Sequence, residues 1–253
     1  MSYQEEESGE HGPWWSKRGV FICAILVALL VAVALVLLLM PSNKDDESAS
    51  APATSASASS AAGPGDEAST CGLKATGGQT LTKAPKDVTW APLRNLELPA
   101  SKTHGPGKVD PITQVRSCFA RTPEGALLAA TSMLGSSADP DVMVKTIEQR
   151  GVDSPGKTVA LGKAQERASS GERTMPPMKI EGFRVVSFTK NAATVEVVVG
   201  ADTGSETVHQ ATSADMVWQD GDWKFVFADD GSGGSMGSQV SDLSNYVKWA
   251  SNG

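Results

Sequence analysis

The sequence predicts a membrane-anchored α+β protein: a single N-terminal transmembrane helix, a disordered linker, and then helices packed on a curved antiparallel sheet. Three observations lead to this prediction. An uncharged apolar run comes first, a stretch of small polar residues follows it, and beyond residue 178 the hydrophobic spacing changes from helical to alternating. These features divide the chain into five segments: 1–18, 19–40, 41–70, 71–230 and 231–253.

The apolar run comprises 22 residues, Gly19 to Met40, and contains no charged side chain. At about 1.5 Å per residue a helix of this length would extend roughly 33 Å, enough to cross a hydrocarbon core of about 30 Å. A secretory signal peptide is one alternative, but its apolar region spans only about 7–15 residues before a small-residue cleavage motif. Pro41 and Ser42 follow without such a motif, and the flanks do not suit a buried core helix. We therefore expect an uncleaved membrane anchor.

The charges beside this run indicate its orientation. Lys17 and Arg18 directly precede it, and Lys44 is the only nearby cation after it. Lys and Arg collect on the cytoplasmic side of membrane helices, so residues 1–18 are expected to be a cytoplasmic tail and the residues after 40 to lie outside. Trp14 and Trp15 suit the interface between lipid and water. The expected localisation is the cell membrane, with one span and the lipid bilayer as a partner.

Residues 41–70 consist mainly of Ala, Ser, Pro and acidic residues, with no aromatic residue and no Val, Ile, Leu or Met. Such a segment cannot bury enough apolar surface to offset its ordering entropy, so it is predicted to be a disordered tether. Residues 71–253 hold 19 Lys and Arg against 20 Asp and Glu, so the net charge of −7 arises mainly before them. A nearly neutral domain lacks the basic surface that nucleic acids need, and no nucleic-acid partner is expected.

Two of the three cysteines, Cys71 and Cys118, lie in the part that is expected outside, where the compartment is oxidising. A disulfide between them would close a loop with a sequence separation of 47 and could contribute about 4 kcal/mol to stability. Two free thiols are the alternative. Cys23 falls in the apolar run and is interpreted as an apolar filler.

Three helices are predicted after residue 120. Thr122 and Asp139 are N-cap candidates, and each precedes a proline, which suits the first helical position. Gly135 and Gly151 are expected to end these two helices, and a third, weaker helix is expected over 157–169. A terminal amphipathic helix is also predicted, after a flexible glycine-serine loop, over "SQVSDLSNYVKWA".

Alternating apolar residues and turn signals predict strands. "DVTWAPL" and "NLELP" are expected to be short extended pieces that lead into the domain. Lys190-Asn191 and Asp220-Gly221 are predicted two-residue hairpin turns, the first of which would pair Phe188 with Ala193 and Val186 with Val195.

The second hairpin would bring Trp218 opposite Trp223. Met216 would then face Phe225, so the tryptophans would continue an apolar stripe on one face of the sheet. We interpret the pair as part of the core, and an aromatic platform for a ligand is the alternative.

One segment matches a nucleotide-binding motif literally. "GVDSPGKT", residues 151–158, fits the phosphate-loop pattern, which requires a buried strand before it and a helix after it. The preceding residues have a capped helical pattern instead, so nucleotide binding is not expected.

Other polar residues do not combine into a catalytic or metal-binding pattern. His104 and His209 are isolated, and no CxxC or HxxxH spacing occurs, so no metal site is predicted. Asp220 and Asp222 are interpreted as turn residues, with a calcium role for the nearby carboxylates as the alternative. No catalytic residue, cofactor site or metal site is expected, and the protein is predicted not to be an enzyme.

Two segments carry a resemblance to known proteins. "FARTPEGALLAA", followed far downstream by "WQDGDWK", looks like a family of actinobacterial membrane-anchored proteins. The order of helices and then an antiparallel meander resembles the nuclear-transport-factor-two-like, cystatin-like fold. A single span joined by a tether to such a domain is similar to the scaffold components of type IV secretion and conjugative-transfer channels. The resemblance covers roughly residues 107–230 and implies no catalytic residues.

This resemblance implies a non-enzymatic, extracytoplasmic scaffold or assembly protein of a conjugative or type IV secretion-like envelope complex. Its partners would be other proteins of that complex, and an oligomer would suit the role. One alternative is a module that binds a small ligand or a surface, since such folds can hold a ligand between sheet and helices. Another is an enzyme on the same fold, because fold does not determine function.

Overall fold

The structure is a computed structural model that describes residues 68–171, 177–202, 204, 206–234 and 237–251. The predicted cytoplasmic tail, transmembrane helix and nearly all of the predicted linker lie outside the described residues. Among the residues that are described, no helix combines the length and the apolar character needed to cross a bilayer.

The described part of the chain contains three helices, which pack on the sheet: α1, Pro123–Ser136; α2, Pro140–Arg150; and α3, Pro155–Ser169. Each helix begins after a side chain that accepts hydrogen bonds from N–H groups of the first turn, namely Thr122, Asp139 and Ser154. The two predicted caps are therefore confirmed. The third helix starts earlier than predicted because Ser154 and Pro155 supply a cap and a first position of their own.

Ten strands are described: β1, Val88–Leu93; β2, Leu96–Ser101; β3, Lys108–Val109; β4, Arg116–Ser117; β5, Met178–Phe188; β6, Ala192–Asp202; β7, Thr207–Gln219; β8, Asp222–Phe225; β9, Ser238–Gln239; and β10, Val247–Lys248. The main sheet has the order β10-β5-β6-β7-β8, and β9 also pairs with β7. All these pairings are antiparallel. The predicted α+β class, with helices on an antiparallel sheet, is confirmed. The hairpins β1-β2 and β3-β4 stand outside the main sheet.

Both predicted hairpin turns are confirmed. Phe188 faces Ala193 across the first turn. In the second turn Asp220 and Gly221 have φ angles of 54° and 70°, as a two-residue turn of this kind requires.

One predicted pairing is wrong. A register shift lies between Val185 and Ser187, so Val185 rather than Val186 faces Val195. The shift is an irregularity of the bulge type, which places one additional residue on β5 and reverses the faces of the residues beyond it. Val186 is consequently 52% exposed.

The predicted terminal helix is also wrong, because its residues form the short strands β9 and β10. The reason is tertiary packing: the Trp249 ring lies 5.4 Å from that of Phe183 and 5.0 Å from that of Trp90. Burial of a tryptophan against two aromatic rings outweighs the weak helical preference of the segment. The glycine-serine loop before these strands packs on the domain at Gly231. A Cβ added at Gly231 would lie 2.7 Å from the backbone nitrogen of Ala160.

Trp223 belongs to the core, as predicted. It faces Trp218 across the hairpin, is fully buried, and donates from Nε1 to the carbonyl of Ala120 at 2.9 Å. Trp218 is half-buried, and its ring lies 5.2 Å from the guanidinium carbon of Arg121. The pair thus closes one end of the sheet against the residues that precede α1.

A buried ion pair joins α2 to β8. Arg150 Nη1 lies 2.5 Å from Asp222 Oδ2, and the two side chains are 3% and 8% exposed. Asp222 also accepts from the backbone N–H groups of Cys118 and Phe119, at 2.6 and 3.0 Å. Burial lowers the pKa of Arg150, and Asp222 opposes that shift. Asp222 closes the hairpin opposite Gln219, as its interpretation as a turn residue requires, but its carboxylate has a further role that the sequence did not indicate: it connects three parts of the core.

We expect Asp222→Ala to destabilise the domain by about 3–5 kcal/mol, because it leaves the Arg150 charge buried without its partner. The measurement is chemical denaturation of the two proteins. Asp229→Ala, which removes an exposed carboxylate nearby in the sequence, is the matched control and should change stability by no more than about 0.5 kcal/mol. Equal stability of the two variants would contradict the prediction.

Candidate functional site

The structure places Cys71 and Cys118 in a disulfide, with their Cα atoms 6.1 Å apart. The bridge sits beside Gly107, where an added Cβ would lie 2.3 Å from Cys71 Sγ. Because the Cys118 N–H donates to Asp222, the bridge also adjoins the buried ion pair. The disulfide therefore fastens the start of the domain to its core.

The segment that matches the phosphate loop connects two helices. Gly151 is the C-cap of α2 and Ser154 the N-cap of α3. Lys157 donates to Asp153 at 2.8 Å, within the same turn. The strand that a phosphate loop requires is replaced by α2, so the geometry agrees with the prediction that the match is incidental.

The remaining sequence candidates are separated in space. His104 Nδ1 lies 3.1 Å from Thr122 Oγ1 at the start of α1. His209 lies on β7, and Asp230 accepts from the N–H of Ser232 in the loop after β8. In the part of the chain that the structure describes, no three His, Cys, Asp or Glu side chains form a group that could hold a metal ion.

A concave space lies between the helices and the sheet, and we call it the helix–sheet cleft. Its inner chamber has a volume of about 190 Å³ and its outer trough one of about 540 Å³. Leu134, Ser137, Gln210 and Thr212 line both parts, so the two adjoin each other. The trough by itself falls within the range of about 300–1,000 Å³ that is usual for small-molecule sites.

The inner chamber is mainly apolar, with aliphatic walls from β2, α1, β5, β6 and β7: Leu96, Leu134, Met178, Ile180, Val197, Val199, Ala201 and Val208. Thr131 also lines it, but its hydroxyl already donates to carbonyls of the preceding helical turn. Moving apolar surface out of water is favourable by roughly 25 cal/mol per Å², and the aliphatic walls offer an apolar group that gain. The chamber therefore favours an apolar occupant.

The outer trough carries the charged groups of the cleft. Lys163 donates to the carbonyl of Asp230 at 2.7 Å, and Arg167 lines the trough one helical turn further along α3. Alternation along the strands predicts which residues share a face. It does not predict that α1 stands far enough from that face to leave a chamber, so the sequence suggested a ligand between sheet and helices only through the resemblance and indicated none of the lining residues.

Fold and site together define the class of protein: an α+β domain whose helices cover an antiparallel sheet and leave a cleft against it. Residues 50–248 match a family described as a domain of unknown function (DUF8175), and because the match spans most of the chain, the chain belongs to that family. No curated protein and no solved structure matches the chain.

Val199→Phe should fill the inner chamber, since Val199 forms part of its wall. We expect a gain in stability of about 0.5–2 kcal/mol and weaker fluorescence enhancement of the apolar dye anilinonaphthalene sulfonate. The matched control is Val186→Phe, the same substitution at an exposed strand position. Identical dye binding by both variants would show that the chamber does not admit apolar molecules.

Proposed function

We propose that this protein is a non-enzymatic, membrane-anchored scaffold that displays its α+β domain outside the cell membrane to assemble an envelope complex. The observation that carries the proposal is the order of segments: an uncharged run of 22 residues, a tether of small polar residues, and a domain fastened at its first residues by a disulfide. A disulfide at that position suits an oxidising compartment, as the proposed topology requires.

We assign the domain to the nuclear-transport-factor-two-like, cystatin-like type within this proposal. The support is the sequential order of its main elements. Three helices precede β5, β6, β7 and β8, and these strands follow one another as antiparallel neighbours. A conjugative or type IV secretion-like complex remains the proposed setting because of the resemblance described above.

A surface feature suited to a protein partner lies at the tip of the β3-β4 hairpin. Ile112 is 89% exposed there, and Val109 nearby is 44% exposed. The tip is ordered by Asp110, whose Oδ1 accepts from the N–H groups of Ile112 and Thr113 at 3.0 and 2.8 Å. A loop held in this way loses little entropy on binding, so an exposed isoleucine on it can contribute fully to an interface.

The topology is tested by adding protease to intact cells that produce the chain with a C-terminal tag. We expect loss of the tagged domain from intact cells, since the positive-inside rule puts residues after 40 outside. A cytoplasmic marker protein must survive in the same sample. Survival of the domain until the cells are lysed would overturn the proposal.

The assembly role is tested by Ile112→Asp, which places a charge at the tip of the hairpin. We expect the variant to lose the membrane proteins that co-purify with the wild-type chain, with an unchanged melting temperature because the side chain is exposed. Val186→Asp is the matched control at another exposed aliphatic position and should retain those proteins. Retention by both variants would exclude this hairpin as the assembly surface.

The helix–sheet cleft favours a second candidate function, an extracytoplasmic module that binds a small apolar ligand. Its size and aliphatic lining are the specific observation. The two functions are separable: a scaffold depends on Ile112, whereas a ligand-binding module depends on the chamber that Val199→Phe would fill.

A further inference from the structure

A glutamate and a histidine meet on the sheet although they come from strands that are not neighbours. His209 Nδ1 on β7 lies 2.5 Å from Glu181 Oε2 on β5, and β6 runs between the two strands. The two side chains are 28% and 24% exposed, so the pair is accessible to solvent.

Two backbone features make this contact feasible. The register between β5 and β6 shifts between Ile180 and Gly182, so Glu181 is the additional residue of a bulge. Gly200 on β6 faces His209, and a Cβ added at Gly200 would lie 2.5 Å from the Glu181 carboxylate. The Glu181 side chain can therefore cross β6 only because residue 200 has no side chain. A glycine inside a strand is a sequence signal for such a close approach.

The pair lies in a groove with aromatic walls, which we call the tryptophan groove. It has a volume of about 660 Å³, and Trp90, Trp249 and Lys248 line it together with Glu181 and His209. The Trp90 and Trp249 ring centroids are 5.0 Å apart and the rings are tilted by 56°.

The chemistry of these groups indicates a neutral ligand with many hydroxyl groups. Glu181 offers carboxylate oxygens as acceptors, Lys248 offers donors, and the second ring nitrogen of His209 is a further polar group. The negative charge of Glu181 is balanced by Lys248, so the groove does not select a cation or an anion by net charge. Trp90 is the more exposed of the two tryptophans, and the face of an indole ring carries negative charge density, which attracts the weakly positive C–H groups of a saturated ring.

We propose that the tryptophan groove is a carbohydrate-binding site. A sugar ring would place its C–H face on Trp90, while its hydroxyl groups would exchange hydrogen bonds with Glu181, His209 and Lys248. This site is distinct from the helix–sheet cleft and from the tip of the β3-β4 hairpin, and it does not depend on the proposed assembly role.

The test is titration of the purified full-length chain, in a detergent without a sugar headgroup, with chitotriose, cellotriose and maltotriose. Calorimetry gives the affinity, and tryptophan fluorescence reports on the groove. We expect at least one trisaccharide to bind, and Glu181→Gln to weaken that binding by about tenfold or more, as the loss of hydrogen bonds to a charged group implies. Trp90→Leu should abolish it, whereas Trp90→Phe, which keeps an aromatic face, should retain part of it.

Gly200→Ala provides an independent variant, because it displaces the Glu181 carboxylate while the side chains that would touch the sugar keep their chemical identity. Its matched control is Gly162→Ala, where an added Cβ meets nothing within 4 Å, and this control should bind like the wild type. Unchanged melting temperatures of Glu181→Gln and Gly162→Ala would show that the fold is intact. The proposal is overturned if no trisaccharide binds, if binding survives both Glu181→Gln and Gly200→Ala, or if tetramethylammonium binds in place of the sugars.

Discussion

The ion pair between Arg150 and Asp222 is the interaction on which the arrangement of the domain depends. It joins the last residue of α2 to the first residue of β8, two positions that are 72 residues apart. The Arg150 guanidinium lies 5.2 Å from the ring centroid of Phe119 and 5.9 Å from that of Phe225, so aromatic rings border the charged group. Removing one member of so deep a pair would leave an uncompensated charge in the core, and this cost holds the end of α2 against the first residue of β8.

With the helices positioned in this way, one strand serves two separate surfaces. On β7, Val208 and Gln210 line the helix–sheet cleft, whereas His209 between them lines the tryptophan groove. Successive side chains of a strand point to opposite faces of the sheet, so a rotation of the His209 side chain cannot bring it into the helix–sheet cleft. His209 therefore lies on the face of the sheet opposite to the chamber-lining side chains of Val208 and Gln210.

The features that sequence could predict are those decided by neighbouring residues. Thr122 with its following proline and Asp220 with Gly221 act within a few positions, and the structure has the cap and the turn as expected. The terminal segment shows the limit of such reasoning, because the helical spacing of its apolar residues was outweighed by the packing of Trp249 on a distant strand. The carboxylates of Asp222 and Glu181 also find their partners through the tertiary fold, and no local pattern distinguishes them from ordinary surface acids. Gly200, inside a strand, was the one local sign of such a contact.

The position of the disulfide has a mechanical consequence. A pulling force that arrives through the residues before Cys71 passes across the bridge to Cys118, because the covalent path between them is shorter than the chain between them. Residues 72–117, which include the β1-β2 and β3-β4 hairpins, lie off that path and carry no tension. The load reaches the domain next to Asp222, whose carboxylate accepts from the Cys118 N–H and pairs with Arg150. Tension that arrives from before Cys71 would therefore act on the region of the buried ion pair and bypass the exposed hairpin at Ile112.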